Sequence, residues 1–333
     1  MKDKNTYSFK IDFVLPWVDG NDPKWLKEKN KYITYKGDSN INRYRDFDNL
    51  KYLFRGIEKY ASWVNKIFFV TWGHIPKWLN TNNEKIRIVK HDEFIPKEYL
   101  PTFNSNVIEL NLHRIQDLSE HFVLFNDDLF ILKKIYPCDF FKNGLPRDMF
   151  VEYVKKDCSQ RHITLRTNNL NIVNKYFNKK DFYKNNKNKI FNIIYGCNNL
   201  KNISSYKYSN FCDFKNNHLT QSFLKSTFIK IWNIEFEALN TSCLNKFRYS
   251  TDIGQSICRY FQLLSGNFSP YKSIGKYFII KENNAKLKNV IHNRKYKIIC
   301  INDASVSVDF EKLKKEINGF LNEILPKKSS FEK

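Results

Sequence analysis

The stretch EHFVLFNDDLFIL, Glu120 to Leu132, places the tightest constraint on how this chain folds. Phe122 to Phe125 form a short unbroken apolar run of the kind found in buried strands of parallel sheets. They lead straight into Asn126-Asp127-Asp128, after which the chain turns apolar again. Open α/β sheets hold their ligands in the crevice outside the carboxyl ends of the strands. Two adjacent carboxylates at such an exit are hard oxygen ligands, suited to Mg²⁺ or Mn²⁺ bound together with substrate phosphates. A plain turn is the competing explanation, because Asn and Asp both favour turns.

Upstream, FKIDFVLPWVDGNDPKW (Phe9 to Trp25) reads as an apolar strand ended by Pro16 and followed by a loop through Trp17, Val18, Asp19, Gly20, Asn21 and Asp22. Asp-Gly and Asp-Pro mark tight turns. A helix starting near Lys24 offers free N–H groups to an anion, which makes this loop a candidate nucleotide seat. Leu50, Leu53, Phe54 and Ile57 recur at helical spacing, with Arg55 among them as an ordinary face charge. Ile67 to Val70 and Ile86 to Val89 read as further strands, and their alternation with helices argues for βαβ units and a mostly parallel sheet. Asn106 followed by Glu109 predicts a helix start, with Ile108, Leu112 and Ile115 as its apolar stripe. Glu109 and His113 stand one turn apart, a spacing shared by catalytic pairs and by ordinary surface pairs.

The 333 residues are ample for a buried core. No stretch is long and apolar enough to span a bilayer. The N-terminal MKDKNTYSFKID is charged where a signal peptide needs its apolar region, so a cytoplasmic chain is expected. Seven scattered cysteines, never spaced as CxxC, suggest neither a zinc site nor a disulfide framework. The formal net charge of +22 points to a polyanionic partner or to a general lysine and asparagine bias. With no Walker loop, RNP-type motif, zinc finger or basic heptad, no specific nucleic acid is expected.

The span 133–215 is crowded with Lys and Asn, interleaved with aromatics. It reads either as a solvated, partly ordered segment or as an insertion that stacks on sugar rings and pairs with phosphates. His218 precedes a helical pattern of Phe223, Thr227 and Ile231, and an imidazole is the usual group for moving a proton near neutral pH. Arg248 precedes a helix that Thr251 is placed to cap. Its planar guanidinium suits a phosphoryl group, although alone it reads as a surface charge. Ile298 to Ile301 form another buried strand, and its exit at Asn302-Asp303 echoes Asn126-Asp127-Asp128. Phe310 to Leu325 is a packing helix stopped by Pro326.

Taken together, these stretches resemble the Stealth family of sugar-phosphate transferases, which includes bacterial capsule-forming enzymes and the catalytic part of the lysosomal-enzyme N-acetylglucosamine-1-phosphotransferase. IDFVLPWVDGNDPKW is similar to the family's first conserved region. RDFDNLKYLFRGIEKYASWVNKIFFVTWGHIPKWLN through LPTFNSNVIELNLHRIQDLSEHFVLFNDDLF resembles the second. HLTQSFLKS through KFRYSTDIG looks like the third, and IICINDAS with FLNEILPKKSSFE like the fourth. The chain departs from the family pattern at Asn49, Lys51, Trp72 and Asn106.

The resemblance implies an α/β fold with a Rossmann-like, glycosyltransferase-type core and an inserted Lys/Asn-rich elaboration. Residues 1–132 would form the first part of the nucleotide-sugar-binding core, 133–215 a variable insertion near the acceptor, and 216–333 the second part with the terminal helix. It implies transfer of a sugar-1-phosphate from a nucleotide sugar, UDP-linked by expectation, to a hydroxyl of an anionic glycan acceptor. The product would be a phosphodiester in a capsular or other cell-surface polysaccharide. The implied catalytic residues are His218, Arg248 and Asp128, with Asp127, Asp128 and Asp303 holding Mg²⁺ or Mn²⁺. Trp17 to Asp22 and Arg55 are assigned to the nucleotide, and His113 and Arg114 to acceptor or phosphate. Peripheral contact with the cytoplasmic membrane face is expected. A metal-dependent glycosyltransferase releasing nucleoside diphosphate, and a polyanion-binding accessory protein, stay open as alternatives.

Overall fold

The computed structural model describes residues 8–34, 44–154, 160–302 and 309–333. Its centre is a five-stranded sheet. Strand β1 (Ile11–Pro16) lies between β2 (Ile67–Thr71) and β4 (His121–Leu124), and β3 (Ile86–Lys90) pairs outside β2. These four strands are parallel, with Phe13 opposite Ile67 on one side and Val123 on the other. The mostly parallel sheet expected from the sequence is present.

The far edge departs from expectation. Gln221–Leu224, read as the start of a helix, is a strand antiparallel to β4, and the helix begins only at Lys225. Phe223, Thr227 and Ile231 keep a spacing of four, so the pattern runs unbroken across the junction. Phe223 is fully buried in the sheet because its register sets it opposite Phe122.

Alternation along the strands explains why both faces are covered. Phe13, Leu15, Phe69, Val123 and Phe125 point into one core, with Leu53 and Phe54 of α2 (Leu50–Tyr60) and Leu313, Ile317 and Leu321 of the terminal helix Phe310–Ile324. Val14, Phe68, Val70, Phe122 and Leu124 point into the other, against the helices Lys225–Ile234 and Ser256–Leu264. Truncating one of these fully buried phenylalanines to alanine costs about 3–5 kcal/mol.

Where it is described, the Lys/Asn-rich span contributes to the second core. Val173, Phe182, Tyr183, Ile190 and Tyr195 are buried in the second core, within a succession of short helices. Lys179 is buried with them, its Nζ 2.7 Å from Glu152 Oε1. Composition concealed this packing because the apolar residues that reach the core are sparse among the Lys and Asn.

The chain order β3-β2-β1-β4 reverses between β1 and β4, the switch point at which open α/β sheets form their crevice. Beyond β4 the chain crosses to a second, three-stranded sheet. There β5 (Leu129–Ile131) pairs antiparallel with Ile298–Asn302, which runs parallel to Gly275–Ile279. Asn126 to Asp128 are the connection between the two sheets.

Candidate functional site

Beyond the carboxyl end of β1, Trp17 donates its backbone N–H to Val70 O at 2.9 Å and its indole N–H to Asp46 Oδ2 at 3.2 Å. Asp22 caps α1 (Pro23–Asn30), accepting from the backbone N–H of Lys24 and Trp25. The helix N-terminus is therefore satisfied from within, and does not offer the open anion site read from the sequence. Burial raises the Asp22 carboxyl, but the two N–H bonds and His74 outweigh it and hold it below its usual range. His74, which the sequence reading missed, accepts from Asp19 N–H at 2.8 Å through Nε2 and faces Asp22 through Nδ1 at 3.3 Å. Gly20 lies so close to Tyr44 that a Cβ would come within 1.9 Å of the Tyr44 carbonyl oxygen. The loop is thus held in shape by Asp19, Asp22, His74 and Gly20.

Across the switch point, Phe125 donates to Val14 O, which aligns the exit of β4 with β1. Asp128 is tied at its backbone by Ile301 N–H, at 2.9 Å. Its Oδ2 accepts from the Cys300 thiol at 3.0 Å and lies 3.8 Å from His218 Nε2. Its Oδ1 is buried without a hydrogen-bond partner. Burial raises the Asp128 carboxyl, opposed by Cys300 and His218, and pushes the Cys300 thiol far up. Asp127 is exposed at the strand exit yet surrounded by protein, and that burial pushes its carboxyl up to about 7, with repulsion from Asp128 and Asp46 adding to the shift.

His218 sits with φ of 49°, a left-handed conformation that is uncommon for a side chain larger than glycine. Asn216 Oδ1 accepts its N–H at 2.8 Å, and its ring stands edge-on to Tyr277 at 5.4 Å. The ring is about half exposed, 47%. It opens on a cleft of about 800 Å³ whose walls include Tyr195, Lys215, Lys272, Lys276 and Tyr277. The donor atoms of Asp128, His218 and Cys300 lie within 4.8 Å of one another, a group able to hold a metal ion.

Arg248 lies beside α4 (Ser105–Leu110), donating to Ser105 Oγ at 2.6 Å. It follows Phe247, which stacks on Phe103 in the small cluster that also takes Trp25 and Val18 of the β1 loop. Glu109 on α4 faces it. Burial pushes the Glu109 carboxyl up to about 7, and the guanidinium partly offsets the shift. Asp252 fixes this corner by accepting from Asn104, Asn106 and Asn245. Asn104, not Asn106, caps α4. Thr251 caps nothing, because the following helix starts at Ser256.

Three side chains assigned from the sequence are engaged within the fold. Arg55 is buried, bonded through Nε and Nη2 to the two oxygens of Glu332, each at 2.8 Å, and through Nη1 to Leu325 O. His113 is a core histidine, bonded to Leu110 O and lying against Phe228 and Trp232. Burial and Arg114 push it down to about 4. Arg114 stacks over Trp232 at 4.9 Å and donates to Asn111 Oδ1. Both pack on the helix that begins beside the entry end of β4, where Lys225 N–H meets Glu120 O. Asp303 lies outside the described residues.

Fold and site together define an open α/β protein whose switch-point crevice gathers carboxylates, an imidazole and a thiol beside a shaped loop. Residues 9–37 match the model of conserved region 1 of the Stealth proteins, and residues 43–148 that of conserved region 2. A capsular polysaccharide phosphotransferase, WcwK, of Streptococcus pneumoniae is 43% identical over 331 residues, covering 97% of this chain and 98% of the relative. The exopolysaccharide phosphotransferase cps2G of Lactiplantibacillus plantarum is 40% identical over 329 residues, covering 98% and 97%. The receptor polysaccharide phosphotransferase WefC of Streptococcus gordonii is 37% identical over 333 residues, covering 97% and 99%. The chain belongs to the Stealth family. Among solved structures, the galactosyltransferase LgtC aligns over 92% of this chain and 95% of its own, with TM-score 0.40 and 10% identity.

Proposed function

We propose that this protein transfers a sugar-1-phosphate from a nucleotide sugar to a hydroxyl of a glycan acceptor in the synthesis of a capsular or other cell-surface polysaccharide. The observation that carries the reading is His218 Nε2 set 3.8 Å from Asp128 Oδ2 at the switch point. The names of the long, full-coverage relatives supply the substrate class.

The loop from Trp17 to Asp22 seats the nucleotide beside the exit of β4. His218 takes the proton of the acceptor hydroxyl, whose oxygen forms a bond to the phosphorus next to the sugar. The bond from that phosphorus to the bridging oxygen breaks, and nucleoside monophosphate leaves. Arg248 neutralises charge on the transferred phosphoryl oxygens, since such transfer depends mainly on position and charge. The buried, unpartnered Asp128 Oδ1 and the raised Asp127 carboxyl fit a divalent cation, Mg²⁺ or Mn²⁺. When bound, such an ion balances the charge of the donor diphosphate. Lys215, Lys272 and Lys276 give the cleft a cationic wall for an anionic acceptor.

The test is the by-product formed from a panel of nucleotide sugars with an acceptor glycan. A UDP-sugar should yield UMP and a product carrying phosphorus, both lost in His218→Ala and Arg248→Ala. Release of UDP with a phosphorus-free product would make this a glycosyltransferase. Salt-sensitive polyanion binding without turnover would make it an accessory protein.

A further inference from the structure

The helix Asn199–Ser205 is inside out. Its inward positions are Asn202 and Ser205, both fully buried, while Leu200 is 67% and Ile203 59% exposed. Asn202 justifies its place by donating its amide to Phe150 O and Ile190 O and accepting from Glu152 N–H. Nothing among the described residues covers the outward leucine and isoleucine. A surface helix of a soluble domain normally turns its apolar face to the core.

The apolar face extends beyond the helix. Ile193, in the turn before it, is 92% exposed, and Tyr206, just after it, 54%. The same segment carries Lys184, Lys187, Lys189, Lys201 and Lys207, with no acidic residue between Asp181 and Asp213. Lys201 and Lys207 are exposed beside the apolar side chains. Ile194, Tyr195 and Asn198, from the same turn, line the cleft onto which His218 opens.

We infer that this face, from Ile193 to Tyr206, docks on an anionic lipid surface. Protruding apolar side chains with the exposed Lys201 and Lys207 among them match the two attractions that hold a protein in a bilayer interface. The side chains insert at the headgroup boundary while the lysines meet lipid phosphates. The overall charge of +22 adds long-range attraction of the same sign. No helix among the described residues is long and apolar enough to cross a membrane. Docked in this way, the cleft wall that carries Ile194, Tyr195 and Asn198 lies next to the lipid, and a glycan anchored there would reach His218. That last step rests on the proposed function, whereas the docking itself does not.

The experiment is co-sedimentation of the full chain with vesicles of phosphatidylcholine alone or mixed with phosphatidylglycerol, without donor or acceptor. The protein should pellet with the anionic vesicles only, and less so as salt is raised. The triple substitution Ile193→Asp, Leu200→Asp, Ile203→Asp should abolish pelleting, and Lys201→Glu or Lys207→Glu should each reduce it about fivefold. Leu200→Ser with Ile203→Ser, milder and fold-preserving, should weaken it too, with thermal melting unchanged. Protein that stays in the supernatant with anionic vesicles, or variants that pellet like the parent, would overturn the inference. So would a parent dimer that the triple substitution dissolves while vesicle binding is absent, since a second copy would then be the occupant.

Discussion

The Cys300 thiol donates to Asp128 Oδ2 at 3.0 Å, so a residue of the second sheet orients the carboxylate at the exit of the first. Cys300→Ala removes that donor from a carboxylate with few others. A hydrogen bond to a charged group contributes about 1.5 kcal/mol, about tenfold in activity. Cys300→Ser, which restores a donor, should recover most of it. Turnover titrated against Mg²⁺ should show the alanine variant needing more cation.

Asp128→Asn keeps the shape and removes the charge, so turnover should fall below detection while circular dichroism and the melting temperature stay near the parent's. Chelation with EDTA should abolish activity and added Mg²⁺ or Mn²⁺ restore it. Activity that survives chelation would remove the metal from the site.

Arg55→Ala should affect stability and leave the nucleotide KM alone. It strands Glu332 in a buried place, a loss of about 3–5 kcal/mol for a broken buried pair. Urea denaturation should show the loss. A raised nucleotide KM in the folded variant would reinstate Arg55 as a ligand.

Glu109 gives a stability signature in pH. Burial raises its folded-state pKa from 4.5 to about 7, with Arg248 opposing. The folded chain therefore holds a proton more tightly than the unfolded one, and stability falls as pH rises from about 4.5 through 7. Glu109→Gln should melt like the parent at pH 4.5 and above it at pH 8. Melting curves at the two pH values that moved in parallel would contradict this.

Much of the frame was legible in the sequence. β1, β2, β3, β4 and Ile298–Asn302 all fall where short apolar runs announced them, and the carboxylates stand at the strand exit. What stayed hidden depends on distant partners. Arg55 looks like a solvated charge until Glu332 arrives from the far end of the chain, and His113 looks exposed until Trp232 covers it. Cys300, His74 and Asp252 carry no local pattern, since each acts through a residue that folding alone brings near. The edge strand Gln221–Leu224 was illegible because its one buried side chain keeps the helical spacing of the residues after it.

Asn126 to Asp128 are also a seam. One end of this short connection is stitched to β1 through Phe125 and Val14, and the other to Ile301 in the neighbouring sheet. The two carboxylates therefore belong mechanically to both bodies. A slight rotation of one sheet against the other would carry the two carboxylates with it. A substitution along the ladder that pairs Leu129 with Cys300 would thereby reach the carboxylates through the backbone as well as through the thiol.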